Sequence, residues 1–100
     1  GHLTAYASGR IVDLGLNTAI MGACSKGDIV RDPPLTLSGN FMSIYETTDS
    51  VLSCKMIASR SSLTSFEEIA ISTGKGHAAF FLPLPEWVDP LRRWIQETNR

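Results

Sequence analysis

Between Leu35 and Glu46 apolar and polar residues alternate. Leu35, Leu37, Phe41 and Tyr45 share one parity, and Thr36, Ser38 and Asn40 share the other. A period of two predicts a strand with one buried face. The polar parity turns apolar at Met42 and Ile44, so the far end of this strand is expected to be covered on both sides. Weaker strand patterns precede and follow it. Residues 4–16 mix small and branched side chains, with Gly9 marking a bulge or bend, and Thr18–Cys24 reads as a second strand. Val51–Ala58 places Leu52, Cys54, Met56 and Ala58 on one parity. Glu67–Thr73 and His77–Leu82 complete the series. Ser25-Lys26-Gly27-Asp28, Arg31-Asp32-Pro33-Pro34, Thr47-Thr48-Asp49-Ser50 and Gly74-Lys75-Gly76 have turn chemistry, and Ser59–Ser65 is polar enough for a loop. Ser65 and Glu68 match a helix capping box, but the β-branched content of Ser65–Ile71 favours a strand.

The chain closes on a different period. Asp89 suits an N-cap and Pro90 a first helical position, while Trp87, Leu91, Trp94, Ile95 and Thr98 fall on one face at helical spacing. Short strands punctuated by turns, then one amphipathic helix, predict a mainly β fold. The expected architecture is a small antiparallel β-barrel of about six strands with one C-terminal helix. Ile11, Leu14, Ile20, Leu35, Leu37, Phe41, Leu52, Cys54, Met56, Phe80, Leu91 and Trp94 are its expected core. A single domain over residues 3–100 accounts for the pattern, and Gly1-His2 reads as a tag remnant.

Composition narrows the function classes. Of the 100 residues 43% are hydrophobic, enough for one core, and 19% are charged, below the average of about 25%. The net charge of −1 offers no basic field for nucleic acid. No apolar run approaches the length of a membrane span, and no signal-peptide pattern is present, so a cytoplasmic protein is expected. Cys24 and Cys54 are too few for a disulfide scaffold and read as small buried hydrophobes, with a disulfide as the alternative.

Catalytic signals are sparse. His77 is the one histidine outside the tag remnant, and no serine sits in a G-x-S-x-G elbow. A Ser–His–Asp site could be assembled from His77, a serine and an aspartate, but that holds for most chains, and a hydrogen-bonding histidine is the default. Glu67 and Glu68 are adjacent, so on a strand they face opposite ways and cannot act as a pair. Ser72-Thr73-Gly74-Lys75-Gly76-His77 lacks phosphate-loop spacing and reads as a hairpin turn. No ligand cluster points to a metal, and no cofactor is expected.

The order of elements resembles the PilZ family of small barrel domains. Gly9-Arg10-Ile11-Val12-Asp13-Leu14-Gly15-Leu16-Asn17-Thr18 is similar to the G-[RT]-hydrophobic-hydrophobic-[DN]-x-S-x-x-G stretch that opens that family's second strand. Ala19-Ile20-Met21 and the Gly27-Asp28 turn follow it. Gly76-His77-Ala78-Ala79-Phe80-Phe81-Leu82 leading into Leu91-Arg92-Arg93-Trp94-Ile95 is similar to the family's last strand and helix. The resemblance implies a receptor for cyclic di-GMP, with Arg10, Asp13 and Asn17 as the ligand-binding candidates. The departures fall at that site. No arginine precedes Arg10, Gly15 replaces the motif serine, and Thr18 stands in place of its glycine. A divergent adaptor that has lost cyclic di-GMP binding is what the resemblance then implies.

The sequence therefore predicts a non-catalytic interaction domain. Its expected partner is a protein or a second copy, met through an apolar strand–helix surface containing Phe81, Trp87, Arg92 and Arg93. An unrelated barrel or sandwich module holding a small molecule or peptide in a cleft is the alternative, and a small hydrolase the third.

Overall fold

The computed structural model describes residues 3–6, 17–22, 24, 36–50 and 53–98. Four strands, β1 (Leu3–Tyr6), β2 (Asn17–Met21), β3 (Ser38–Glu46) and β4 (Ser62–Ile71), form one open sheet in the order β1-β2-β3-β4. Every neighbouring pair is parallel, with Tyr6 opposite Ile20, Ile20 opposite Ser43 and Ser43 opposite Glu68. The expected antiparallel barrel is thereby corrected. Parallel neighbours cannot be joined by tight turns and need crossovers that put other elements over the sheet faces. Between β3 and β4 the crossover carries a short helix, α1 (Lys55–Ser59). After β4 come a 3-10 helical segment, Gly76–Phe81, and helix α2 (Pro85–Thr98).

The sheet separates two cores. Ile20, Phe41 and Phe66 point to one face, where Leu37, Cys24, Cys54, Leu63 and Ile57 of α1 pack on them. Phe41 meets Phe66 edge-on at 5.6 Å between centroids. Ala19, Met21, Met42, Ile44 and Ile71 point to the other face, against Ala79 and Phe80 of the 3-10 segment and Trp94 of α2. The apolar run of both parities in β3 is therefore the mark of a strand buried on both faces. A bulge between Gly39 and Asn40 shifts the β3–β4 register, and Gly39 meets it with a φ of 80°.

Several local expectations change with the fold. Val51–Ala58 was expected to be a strand, but Lys55–Ser59 is helical and Met56, an expected core residue, is 60% exposed. In a helix Met56 and Ile57 diverge by about 100°, so Ile57 takes the buried side. Strand β4 starts at Ser62, inside the expected loop. His77–Leu82 is a 3-10 turn and not the last strand. The Gly74-Lys75-Gly76 stretch is accordingly no hairpin; Gly74 and Gly76 take φ values of 74° and 58° in the passage from β4 to that turn. Helix α2 begins at Pro85, ahead of the expected start at Asp89-Pro90, and carries Pro90 within it. Pro85 has the same fitness for a first helical position. Of the remaining core expectations, Ile11, Leu14, Leu35 and Leu52 lie outside the described residues.

Cys24 and Cys54 form a disulfide, with 5.4 Å between Cα atoms, which replaces the free thiols expected. The bond ties the chain just beyond β2 to the start of α1. Ser43 Oγ donates to Cys54 Sγ at 3.2 Å.

Candidate functional site

The carboxyl ends of β2, β3 and β4 converge on one histidine. In open α/β sheets ligands bind outside the carboxyl ends of the strands, where the strand order reverses. The order β1-β2-β3-β4 has no reversal, so the candidate site rests on the contact between the loops that leave β3 and β4. Asp49 sits in the turn that leaves β3, and His77 is the second residue of the 3-10 turn that follows β4. His77 Nδ1 lies 2.8 Å from Asp49 Oδ2. The Asp49 side chain is 5% exposed and that of His77 is 29% exposed, so the pair is partly shielded with the ring still open to solvent. With its proton on Nδ1 the imidazole donates to the carboxylate, and Nε2 is left as the acceptor.

Three neighbours fix the ring. Gly22, just past β2, has a φ of 61°, and a Cβ there would stand 2.9 Å from His77 Nδ1 and 3.0 Å from Phe80 Cε2. Phe80 and Phe81 meet the imidazole edge-on at 5.9 and 5.5 Å. Phe80 packs on Trp87 of α2, whose Nε1 donates to the carbonyls of Ala79 and Leu82 at 3.0 and 2.9 Å. The C-terminal helix thus anchors the turn that carries His77.

Beneath the pair lies Glu46, the last residue of β3. Its carboxylate is fully buried and accepts from Thr48 N and Thr48 Oγ1 (2.7 Å), Thr73 Oγ1 (2.6 Å), Thr73 N (3.1 Å) and Lys75 N (3.2 Å). The Thr73 hydroxyl above all, then the Thr48 amide and hydroxyl, hold its pKa down at about 2.

The residues singled out in the sequence are scattered over the fold. Arg10 and Asp13 lie outside the described residues. Asn17 starts β2, and its Oδ1 accepts from Asn40 Nδ2 at 2.8 Å while Asn40 Oδ1 accepts from Ser65 Oγ at 2.7 Å. That ladder crosses three strands at their amino ends, opposite the His77 edge. Phe81 is 71% exposed and Trp87 half-buried on the second core. Arg92 is exposed, while Arg93 pairs with Glu67 at 3.1 Å and Glu97 at 3.8 Å. Glu68 projects to the other face of β4, accepting from Ser53 Oγ and from Cys54 N at 2.7 Å. The two adjacent glutamates face opposite ways, as alternation requires.

Asp49 was not singled out in the sequence, where it read as a turn residue. Its signal is visible once β3 and β4 are parallel. A Thr-Thr-Asp turn closes the strongest strand and a Gly-His turn closes the next. Among the described residues no hydroxyl or thiol pairs with Nε2, so the contact is an Asp–His pair and not a full nucleophilic triad. No group of three or more His, Cys, Asp or Glu among them could hold a metal ion. No helix among them is long and apolar enough to cross a membrane. No family model, curated protein or solved structure matches this chain.

Proposed function

We propose that Asp49 and His77 form the general acid–base pair of a hydrolytic site. The observation that carries this reading is the 2.8 Å contact between Asp49 Oδ2 and His77 Nδ1 at the carboxyl edge of a parallel sheet. A carboxylate behind Nδ1 fixes the tautomer, orients the ring and stabilises the imidazolium that forms when Nε2 takes a proton. Serine hydrolases built on parallel sheets carry the acid and then the histidine on loops after their strands, in that chain order. This second point is a likeness of arrangement, and the contact itself bears the weight. On this reading Nε2 takes the proton of the water that attacks the acyl carbon, and the leaving alcohol then takes that proton from the imidazolium. Phe81, exposed beside the ring, favours an ester or related acyl compound with an apolar portion.

The test is turnover of p-nitrophenyl esters of graded acyl length, with His77→Gln and Asp49→Asn as variants. Turnover that falls by about 10²-fold or more in both variants supports the pair, since a positioned general acid–base group contributes about 10²–10⁴-fold. Equal rates in the wild type and both variants would remove the reading.

A second reading rests on a different surface property. Phe81 and Leu82 are 71% and 44% exposed, and the Leu82 carbonyl accepts from Trp87 Nε1. An exposed apolar spot suits a contact with a protein partner or a second copy of this chain. Sedimentation velocity across a concentration series tests it, with Phe81→Ser as the comparison. The compartment is a separate matter. A disulfide between Cys24 and Cys54 favours an oxidising one over the cytoplasm.

A further inference from the structure

Glu46 is a buried charge at the end of a strand, and its hydrogen bonds do not go to its own element. They go to the two loops that carry Asp49 and His77. Thr48, on one side of the carboxylate, directly precedes Asp49. Thr73 and Lys75, on the other side, lie in the segment leading to His77. A carboxylate has about four lone-pair directions, so these donors fill it. The charge is met by hydrogen bonds, with no cation paired to it among the described residues.

The direction of those bonds matters as much as their number. Because an ionised carboxylate only accepts, both threonine hydroxyls must donate to Glu46. Their lone pairs are then turned outward. Thr48 Oγ1 accepts from Gly76 N at 3.0 Å, and Thr73 Oγ1 accepts from Lys75 N at 3.2 Å. The first of these bonds runs from the residue before His77 to the residue before Asp49. Thr47 Oγ1 and Ser72 Oγ, 3.0 Å apart, and Thr47 N donating to Ile71 O at 2.9 Å, add a second tie between the loops. One carboxylate orders the hydroxyls that order the backbone on each side of the dyad.

We propose that Glu46 is a positioning residue that sets the Asp49–His77 geometry by locking the two loops together through Thr48 and Thr73. This rests on the acid–base reading of the pair for its functional consequence, but the positioning itself is measured apart from activity. An amide at residue 46 presents an NH₂ to N–H and O–H donors, so Glu46→Gln sets donor against donor at one side of the cradle. The loops then lose register, and an error of about 1 Å in a catalytic geometry costs about 10²-fold in rate.

The experiment is proton NMR of the His77 ring, with His77→Gln assigning the resonance. In the wild type a Nδ1 proton held by Asp49 is expected to give a strongly downfield, slowly exchanging signal. In Glu46→Gln that signal is expected to broaden or vanish, while ester turnover loses about 10²-fold in kcat with KM little changed. Thr48→Val and Thr73→Val, at less buried positions, are expected to weaken the signal in the same way and are read alone if Glu46→Gln does not fold. A signal unchanged in all folded variants would overturn the proposal. A signal lost in the variants of a protein that turns over no ester would uphold Glu46 as the positioning residue and remove the hydrolytic reading.

Discussion

Gly22 and His77 are fitted to each other: the imidazole occupies the space that any side chain at residue 22 would need. A Cβ there would stand 2.9 Å from Nδ1, the nitrogen that faces Asp49. The end of β2 therefore takes part in a site whose polar groups come from beyond β3 and β4.

Gly22→Ala is expected to push the ring off Asp49. It combines this clash with a left-handed backbone at φ 61°, which costs a non-glycine residue about 1–2 kcal/mol. A lowered melting temperature together with loss of the Nδ1 proton signal is the expected result. An alanine variant that keeps both would mean the ring has room to move.

Acid is expected to unfold the protein in part through Glu46. Its carboxyl ionises at about 2 in the fold against an ordinary value of 4.5. The unfolded chain thus binds the proton more readily, and stability rises with pH over that window. The contribution is fully present above about 4.5 and is lost as pH falls toward 2. Denaturant titrations between pH 2 and 6 are expected to show a shallower acid slope for Glu46→Gln than for the wild type.

Reduction of the Cys24–Cys54 bond is expected to destabilise the fold by about 3–4 kcal/mol. That figure is the chain entropy released when a loop of 30 residues is no longer closed. Urea midpoints with and without reductant measure it, with Cys24→Ser/Cys54→Ser as the permanent form. An unshifted midpoint would mean that packing around Phe41 and Ile57 alone holds α1 in place.

Phe41→Ala and Trp94→Ala are each expected to cost about 3–5 kcal/mol, as deletions of buried aromatics do. The two rings lie on opposite sides of the sheet, in separate clusters. Their effects are therefore expected to add to within about 0.5 kcal/mol. Marked non-additivity in equilibrium unfolding would show that the two cores yield together.

The existence of β2, β3 and β4 was legible because alternation and β-branching are local, though the strands span Asn17–Met21, Ser38–Glu46 and Ser62–Ile71 and not the bounds expected. Their direction was not. Met42 and Ile44 on the second parity of β3 already signalled a strand covered on both faces, which is a parallel-sheet trait, yet the turn residues suggested hairpins. Val51–Ala58 and His77–Leu82 failed for one reason: short apolar runs carry no period that separates a strand from a helical turn. Phe80 is buried and Phe81 71% exposed in the 3-10 turn, and alternation along a strand would likewise set the two on opposite sides, so the pair did not distinguish the conformations. The dyad was half legible. His77 stood out by rarity, but its partner is 28 residues away, and only the strand order brings them together.

Strand order equal to chain order also has a consequence for how the site is divided along the chain. Each strand pairs with the one before it in the chain, so β4 forms one edge of the described sheet. Asp49 and Glu46 belong to the end of β3, while His77, Thr73 and Lys75 belong to the segment beyond β4. A chain cut before β4 would keep both carboxylates and lose every partner that β4 and the segment after it supply to them.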